Sequence, residues 1–229
     1  ARYADISELD ITNKSSVESF DWSGVKVLLN AAAFTDVDSA ETAEGRVTAW
    51  KVNAEAVGNL LRACRQNDMT LVHISSDYVF DGTADPHTEN EPFSPLSAYG
   101  ASKAAGDLLV QQLDNHYLLR TTWVNGEGKN FVRTMLDLAR KGTSPTVVAD
   151  QIGRLTFTSE LVRIIDYLLS TRAPFGSYNA TNEGKLASWA DITREIFALS
   201  GYNELTVTDT TTAEYFSGKE GIAPRPLGS

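Results

Sequence analysis

Tyr99 and Lys103 stand four residues apart at the start of a helical stretch, and a strand-like run upstream of them ends in Ser75-Ser76. Together these residue types can reduce a ketone. When a hydride arrives at a carbonyl carbon, the oxygen becomes an oxyanion and needs a proton. A tyrosine can supply it if a nearby ammonium favours the phenolate and lowers the phenol's pKa. Residues four apart share one face of a helix, so Lys103 can sit beside Tyr99. Ser76, at the end of the neighbouring strand, can hydrogen-bond the same substrate oxygen. A tyrosine and a lysine at this spacing recur by chance on solvated helices. The weight comes from where the pair stands, after a hydroxyl-tipped strand and the loop 78–97, in a chain whose strands and helices alternate.

The elements that must position these groups follow from the apolar pattern. The segment 25–33 reads as a buried strand running into a small-residue loop. Residues 41–67 have helical periodicity through Val47, Trp50, Val57, Leu60, Leu61 and Cys64. Thr70 to Ser76 is a second buried strand, 78–97 a loop rich in Asp, Pro and Glu, and 97–115 a helix. Strands follow at 117–121 and 146–149, with helices at 130–141, 158–171 and 188–200. Strands alternating with helices predict an α/β fold, a Rossmann-like doubly wound parallel sheet. A smaller C-terminal substrate-binding lobe is expected after it. The division falls near residue 150, giving a dinucleotide-binding part at 1–150 and a substrate-binding lobe at 151–229, with a boundary blurred by exchanged segments. The glycine-rich turn that meets a pyrophosphate at a helix N-terminus is missing from the sequence. The expectation is that the N-terminal strand–turn–helix precedes Ala1 and that the chain is incomplete at both ends.

Composition narrows the partners. The formal charge of -10 on 229 residues repels phosphate backbones and anionic lipid, so neither nucleic acid nor a membrane is an expected partner. The single cysteine, Cys64, cannot form an internal disulfide. It reads as a small core residue in a reducing, cytoplasmic compartment. His73, His87 and His116 are scattered singly, so no metal site is expected. Glu89, Asn90 and Glu91 are expected to face solvent.

Several stretches then carry a resemblance: Asn30-Ala31-Ala32-Ala33-Phe34-Thr35-Asp36-Val37-Asp38, Val52-Asn53, Ser75-Ser76-Asp77-Tyr78-Val79-Phe80-Asp81-Gly82, Tyr99-Gly100-Ala101-Ser102-Lys103, Arg120-Thr121-Thr122-Trp123-Val124, Asp150-Gln151-Ile152-Gly153 and Arg225-Pro226. In this order they resemble the extended short-chain dehydrogenase/reductases, and within them the dTDP-4-dehydrorhamnose reductase family. The resemblance implies reduction of the C4 ketone of dTDP-4-dehydro-L-rhamnose, with hydride from NADPH and a proton from Tyr99. NADH stays open, because the segment that reads the 2′-phosphate is not in the sequence. Ser76, Tyr99 and Lys103 match the catalytic triad, with serine where this subfamily usually has threonine. Asn30, Ala31, Ala32 and Ala33 match the loop beside the dinucleotide, Asp10 and Ile11 the residues flanking the adenine, and Lys103 also the nicotinamide ribose. Thr35, Val37, Tyr78 and Trp123, with Ser76 and Tyr99, match positions lining the sugar.

Other readings remain open. Trp123 can be a core aromatic, Asp150 and Gln151 turn caps, and Thr35 a loop hydroxyl. Asn125 stands where the family often has an aromatic, and Leu155 where it often has proline. A different nucleotide-sugar short-chain dehydrogenase, either an epimerase or another 4-ketoreductase, is the alternative, although an epimerase lacks the Ser-Asp-Tyr-Val-Phe-Asp-Gly run. Tyr78 after Asp77 argues against a 4,6-dehydratase, which needs an acidic residue there. The regulatory subunit of methionine adenosyltransferase, a non-catalytic binding partner, is also similar but lacks the Arg-Thr-x-Trp pattern. A homodimer is left open, and some relatives carry magnesium at a subunit contact, a site not placed in this sequence.

Overall fold

Branched apolar runs closed by polar loops make the strands of this chain, and amphipathic stretches make its helices. The computed structural model describes residues 2–84 and 86–228. In order these contain α1 (Lys14–Ser19), β1 (Val27–Asn30), α2 (Ala43–Trp50), α3 (Ala56–Asn67), β2 (Thr70–Ser76), α4 (Ala98–Val110), β3 (His116–Thr121), β4 (Val124–Asn125), α5 (Phe131–Arg140), β5 (Thr146–Val148), β6 (Ile152–Gly153), β7 (Thr156–Phe157), α6 (Thr158–Thr171), β8 (Gly176–Asn179), β9 (Ala187–Ser188), α7 (Trp189–Leu199), β10 (Thr208–Thr210) and α8 (Thr212–Tyr215). Short 3₁₀ turns cover Ser39–Glu41 and Asp77–Val79.

The main sheet is parallel, in the order β1-β2-β3-β8. Side chains alternate across it, as the period of a strand requires. Leu71 on β2 and Leu118 on β3 enter a core with Val17 of α1, with Val57, Leu60, Leu61 and Cys64 of α3, and with Val110 of α4. Val72, Tyr117 and Leu119 enter a core on the opposite face with Leu161 and Leu168 of α6. Both faces are therefore covered, and the α/β, doubly wound expectation is met. Cys64 is buried in the first of these cores, as expected.

A further core packs α5, α7 and β5 through Met135, Ala139, Val147, Ile192, Ile196 and Phe197. These cores draw on both sides of residue 150, since α5 precedes it, while α6 and β8 follow it and serve the main sheet.

Two element assignments change. The segment expected as the fourth strand of the main layer, 146–149, forms β5 and pairs only with β10. The fourth main-sheet strand is β8, Gly-Ser-Tyr-Asn, which has no apolar run to announce it. Its place comes from backbone pairing with β3, at Tyr117 with Gly176 through Arg120 with Asn179. The helix expected over 41–67 forms, but residues Lys51–Glu55 make a π-turn in its middle, with the Ala56 N–H bonded to the Lys51 carbonyl. Such turns insert one residue and often mark functional places.

The extra residue turns Asn53 inward, where it is 1% exposed. Helix α4 crosses this turn so closely that a Cβ added at Gly106 would lie 2.2 Å from the Asn53 carbonyl oxygen. In an open helix, replacing glycine by alanine gains about 1 kcal/mol. Here the sign should invert. Gly106→Ala is expected to lose about 1–3 kcal/mol of stability, the usual cost of overpacking, measured by urea unfolding. A gain would show that the π-turn and α4 can move apart.

Candidate active site

The main strands are parallel, so their carboxyl ends share one edge, where ligands of open α/β sheets bind. Ser76 ends β2 in register with Thr121 of β3. Its Oγ donates to Asp77 Oδ1 at 3.0 Å and accepts the Tyr78 N–H at 3.2 Å. It lies near enough to the Tyr99 hydroxyl to favour the phenolate. Tyr99 opens α4 behind the N-cap Ser97, whose side chain accepts the Gly100 N–H at 3.1 Å. Gly100 permits this approach, since a Cβ there would meet the Tyr78 carbonyl oxygen at 2.2 Å. The Tyr99 ring packs with Phe34, Val37, Ala40, Ala49, Tyr78 and Ala98. Tyr78 meets it edge to face, with ring centroids 5.7 Å apart.

Lys103 lies one helical turn further in and is 2% exposed. Its ammonium donates to the Ile74 carbonyl at 2.8 Å. Ser76, Tyr78 and Tyr99 thus converge, with Lys103 anchored to the same strand two residues before Ser76.

The electrostatics differ from the expectation in one respect. Burial pushes the Tyr99 phenol up to about 12, against the pull of the Ser76 hydroxyl. The lowering expected from Lys103 is absent. Its ammonium turns one donor to Ile74 and itself falls to about 8 through burial, partly offset by Asp107. Desolvation disfavours the charged form of both groups, the phenolate and the ammonium. At neutral pH Tyr99 therefore stands protonated, which is the form a proton donor needs.

Behind the site, Asn30 donates through Nδ2 to His73 Nδ1 at 3.0 Å, and its Oδ1 accepts the Ala32 N–H at 3.1 Å. Burial holds His73 well below its ordinary value, so its ring stays neutral. Ala31 and Ala32 are exposed at the sheet edge, and Ala33 is half-buried. Asn53 ties this loop down. It accepts the Phe34 N–H at 2.9 Å and donates to the Phe34 carbonyl at 3.1 Å and to Ser102 Oγ at 3.0 Å.

Val37 reaches the Tyr99 cluster, while Thr35 is exposed. Asp10 spends its carboxylate on the Thr12 N–H and hydroxyl, at 2.9 and 2.7 Å. The Ile11 carbonyl accepts from Asn59 of α3 at 2.8 Å.

Trp123 follows Thr122, which hydrogen-bonds Asp77. Its backbone is left-handed, with φ of +44°, an uncommon state for a bulky residue. Its ring stacks on Trp189 with centroids 3.6 Å apart. The Trp189 N–H donates to Gln151 Oε1 at 3.1 Å. Gln151 Nε2 reaches Thr212 Oγ1 at 3.1 Å, and Asp150 accepts the Thr212 N–H and hydroxyl. Asp150 and Gln151 thus hold α8 and the tryptophan pair.

Other residues here are ones the sequence left without a role. Arg225 forms a forked pair with Asp38, at 2.8 and 2.9 Å, and brings the C-terminal segment to the loop that carries Val37. Glu89 and Glu91, expected to face solvent, are half-buried. Glu89 accepts the Asn179 N–H at 3.0 Å, and Glu91 pairs with His87 at 3.0 Å. A loop crossing strand ends leaves backbone N–H groups that need acceptors, and these carboxylates serve them. Arg120 was the available signal of a further partner, as a charge in the apolar run Tyr117-Leu118-Leu119-Arg120. Among the described residues no group of three metal-ligating side chains forms, and no helix is long and apolar enough to cross a membrane.

Comparison with known proteins supplies kinship. Residues 2–229 match the family model of the RmlD substrate binding domain. A dTDP-4-dehydrorhamnose reductase of Aggregatibacter actinomycetemcomitans is 37% identical, over 98% of this chain and 79% of its own length. A probable dTDP-4,6-dihydroxy-2-methyloxan-3-one 4-ketoreductase of Streptomyces antibioticus is 38% identical, over 96% and 74%. The crystal structure of a Bacillus anthracis dTDP-4-dehydrorhamnose reductase in complex with NADP superposes with a TM-score of 0.88 at 34% identity, covering 98% of this chain and 78% of that one.

Asp77 gives a test of the burial described above. Burial pushes its carboxyl from 3.8 up to about 6, despite hydrogen bonds from Thr122 and Ser76. The folded chain then holds this proton more tightly than the unfolded chain. The stability it contributes is complete below the unfolded value and is lost as pH rises through about 6. Asp77→Asn stays neutral throughout. Its thermal midpoint relative to wild type should therefore climb between about pH 4 and about pH 8. A difference that stays flat would show that the carboxyl titrates normally.

Proposed function

This chain belongs to the dTDP-4-dehydrorhamnose reductase family, and we propose that it reduces the C4 ketone of dTDP-4-dehydro-L-rhamnose to dTDP-L-rhamnose with NADPH. The observation that carries the reading is the convergence of Ser76 and Tyr99 at the carboxyl edge of the sheet, above a buried Lys103. The donor set suits a dinucleotide whose ribose lies here. Lys103 has three N–H donors and spends one on Ile74, which leaves donors for a ribose diol. The exposed backbone of Ala31 and Ala32 gives a flat approach beside it. NADPH is favoured over NADH by kinship with the NADP-bound reductase.

When bound, the reduced nicotinamide supplies the hydride. The chain's own residues do the rest. Ser76 Oγ and the Tyr99 hydroxyl hold the ketone oxygen and stabilise the charge that develops on it. The Tyr99 phenol, kept protonated by its buried setting, delivers the proton to that oxygen. Tyr78 and Trp123 line the sugar, with Val37 and Thr35 at the facing loop. Asp10 and Ile11 flank the adenine.

The related 4-ketoreductase of Streptomyces antibioticus makes another 4-keto nucleotide sugar the second reading. Assays of NADPH oxidation with a panel of 4-keto sugars separate the two. Turnover should be highest with dTDP-4-dehydrorhamnose and absent with dTDP-glucose. Release of water from dTDP-glucose, or no NADPH use with any 4-keto sugar, would refute the reductase reading.

Tyr99→Phe should cut kcat by about 10²–10⁴-fold, the usual worth of a general acid, with NADPH affinity nearly unchanged. Wild-type turnover by this variant would remove Tyr99 from the mechanism. Trp123→Ala should raise KM for the sugar nucleotide more than it lowers kcat. If the variant instead melts far earlier and binds substrate normally when folded, Trp123 belongs to the core.

A further inference from the structure

Alternation along the parallel strands puts Asn30 of β1, His73 and Ser75 of β2, and Arg120 of β3 on the face that carries Leu71 and Leu118. Helix α4 covers that face. One turn after Lys103 it presents Asp107, which is 0% exposed. Asp107 Oδ2 accepts from Arg120 Nε at 2.9 Å, and Arg120 is itself 2% exposed. Arg120 is fixed elsewhere as well. Its Nη1 donates to the Glu89 carbonyl at 3.0 Å, and its guanidinium lies over Phe93 and Phe80, at 5.0 and 5.3 Å from the ring centroids. Two cations and one carboxylate are thus buried together beneath the site.

We infer that Asp107 is a positioning residue for the reaction: its carboxylate, held in place by Arg120, keeps the buried Lys103 side chain charged and directed at the cofactor-binding edge. The inference rests on the reading of Lys103 given above. A buried ion pair rarely repays its desolvation as stability alone. Asp107 is paired with Arg120 and follows Lys103 by four residues, on the same face of α4, so it has a second cation beside it. Without a nearby anion, a lysine this buried loses its proton readily. The ionisable groups on the elements packed about Lys103 are few. Tyr99 and Asp107 lie on α4 itself, His73 lies on β2 and is neutral, Asp77 and Tyr78 lie on the turn after β2 beside Tyr99 and are not felt at Lys103, and Arg120 on β3 faces Asp107. Of these only Asp107 favours the ammonium, and burial opposes it.

The test is the pH profile of kcat/KM in the complete enzyme with NADPH and dTDP-4-dehydrorhamnose. A Lys103 that must be charged works below its pKa and fails above it, so the rate falls on an alkaline limb. In Asp107→Asn that limb should move down by about one pH unit or more, so that the loss is small at low pH and about tenfold or greater above the limb. NADPH affinity, measured by fluorescence titration, should weaken over the same range. Asp107→Glu should return the limb towards its wild-type place. If Asp107→Asn fails to fold, Asp107→Asn/Arg120→Gln removes both members of the ion pair, so that Arg120 is not left buried without its partner, and its limb should move the same way. A limb that stays in place while the rate and melting point fall at every pH would overturn the inference and leave Asp107 a structural residue. Lys103→Met separates this failure from that of the underlying reading. If it turns over like wild type, Lys103 is not in the site at all. If it is inactive and the Asp107 variants keep a wild-type limb, only the role of Asp107 fails.

Discussion

The site depends on a buried amide. Asn53 sits in a π-turn, and its one side chain holds the backbone of Phe34 by two hydrogen bonds and Ser102 of α4 by a third. The loop after β1 and the helix that carries Tyr99 and Lys103 are thereby fixed to the same group. A regular helix through residues 51–55 would turn Asn53 along a different direction and lose all three bonds. The extra residue of the π-turn is therefore a condition of the site, and the close crossing at Gly106 follows from it.

Around that joint the fold handles an awkward electrostatic demand. Lys103, Asp107 and Arg120 are all buried, and charges inside a protein are costly unless paired and hydrogen-bonded. Parallel strands make the arrangement feasible, because Ser75 pairs in register with Arg120 and both face one helix. The same desolvation that weakens Lys103 as a cation keeps Tyr99 protonated. In a reduction the phenol gives up its proton only as the oxyanion forms, so a buried neutral tyrosine suits the direction of the chemistry. The helix thus carries Tyr99, Lys103 and Asp107 at successive turns.

The outer wall of the proposed site is built from parts distant in the chain. Trp123 leaves β3 in a left-handed conformation and is held by Trp189 of α7, which Gln151 fixes in turn. Asp38 and Arg225 join the loop after β1 to the C-terminal segment. The family includes relatives named for different 4-keto sugars. A wall assembled from separate segments can vary in shape while the Ser76–Tyr99–Lys103 floor stays the same.

The sequence by itself determined the layers and the residues on which the proposed chemistry rests. Local patterns carry that information: apolar runs for β2 and β3, helical periodicity for α3 and α4, and the four-residue step from Tyr99 to Lys103. Each of these is set by residues close together in the chain. Only the tertiary structure decided what depends on partners far along the chain. β8 is a strand because β3 offers it a backbone edge, and 146–149 left the main layer because its partner is β10. The π-turn at Asn53 answers to Phe34 and Ser102, and Glu89 is half-buried because Asn179 and Arg120 meet it. The pKa of Tyr99 was set the same way. Spacing put Lys103 on the same helix face, but the packed fold turns its ammonium to the Ile74 carbonyl, and burial sets the phenol's pKa.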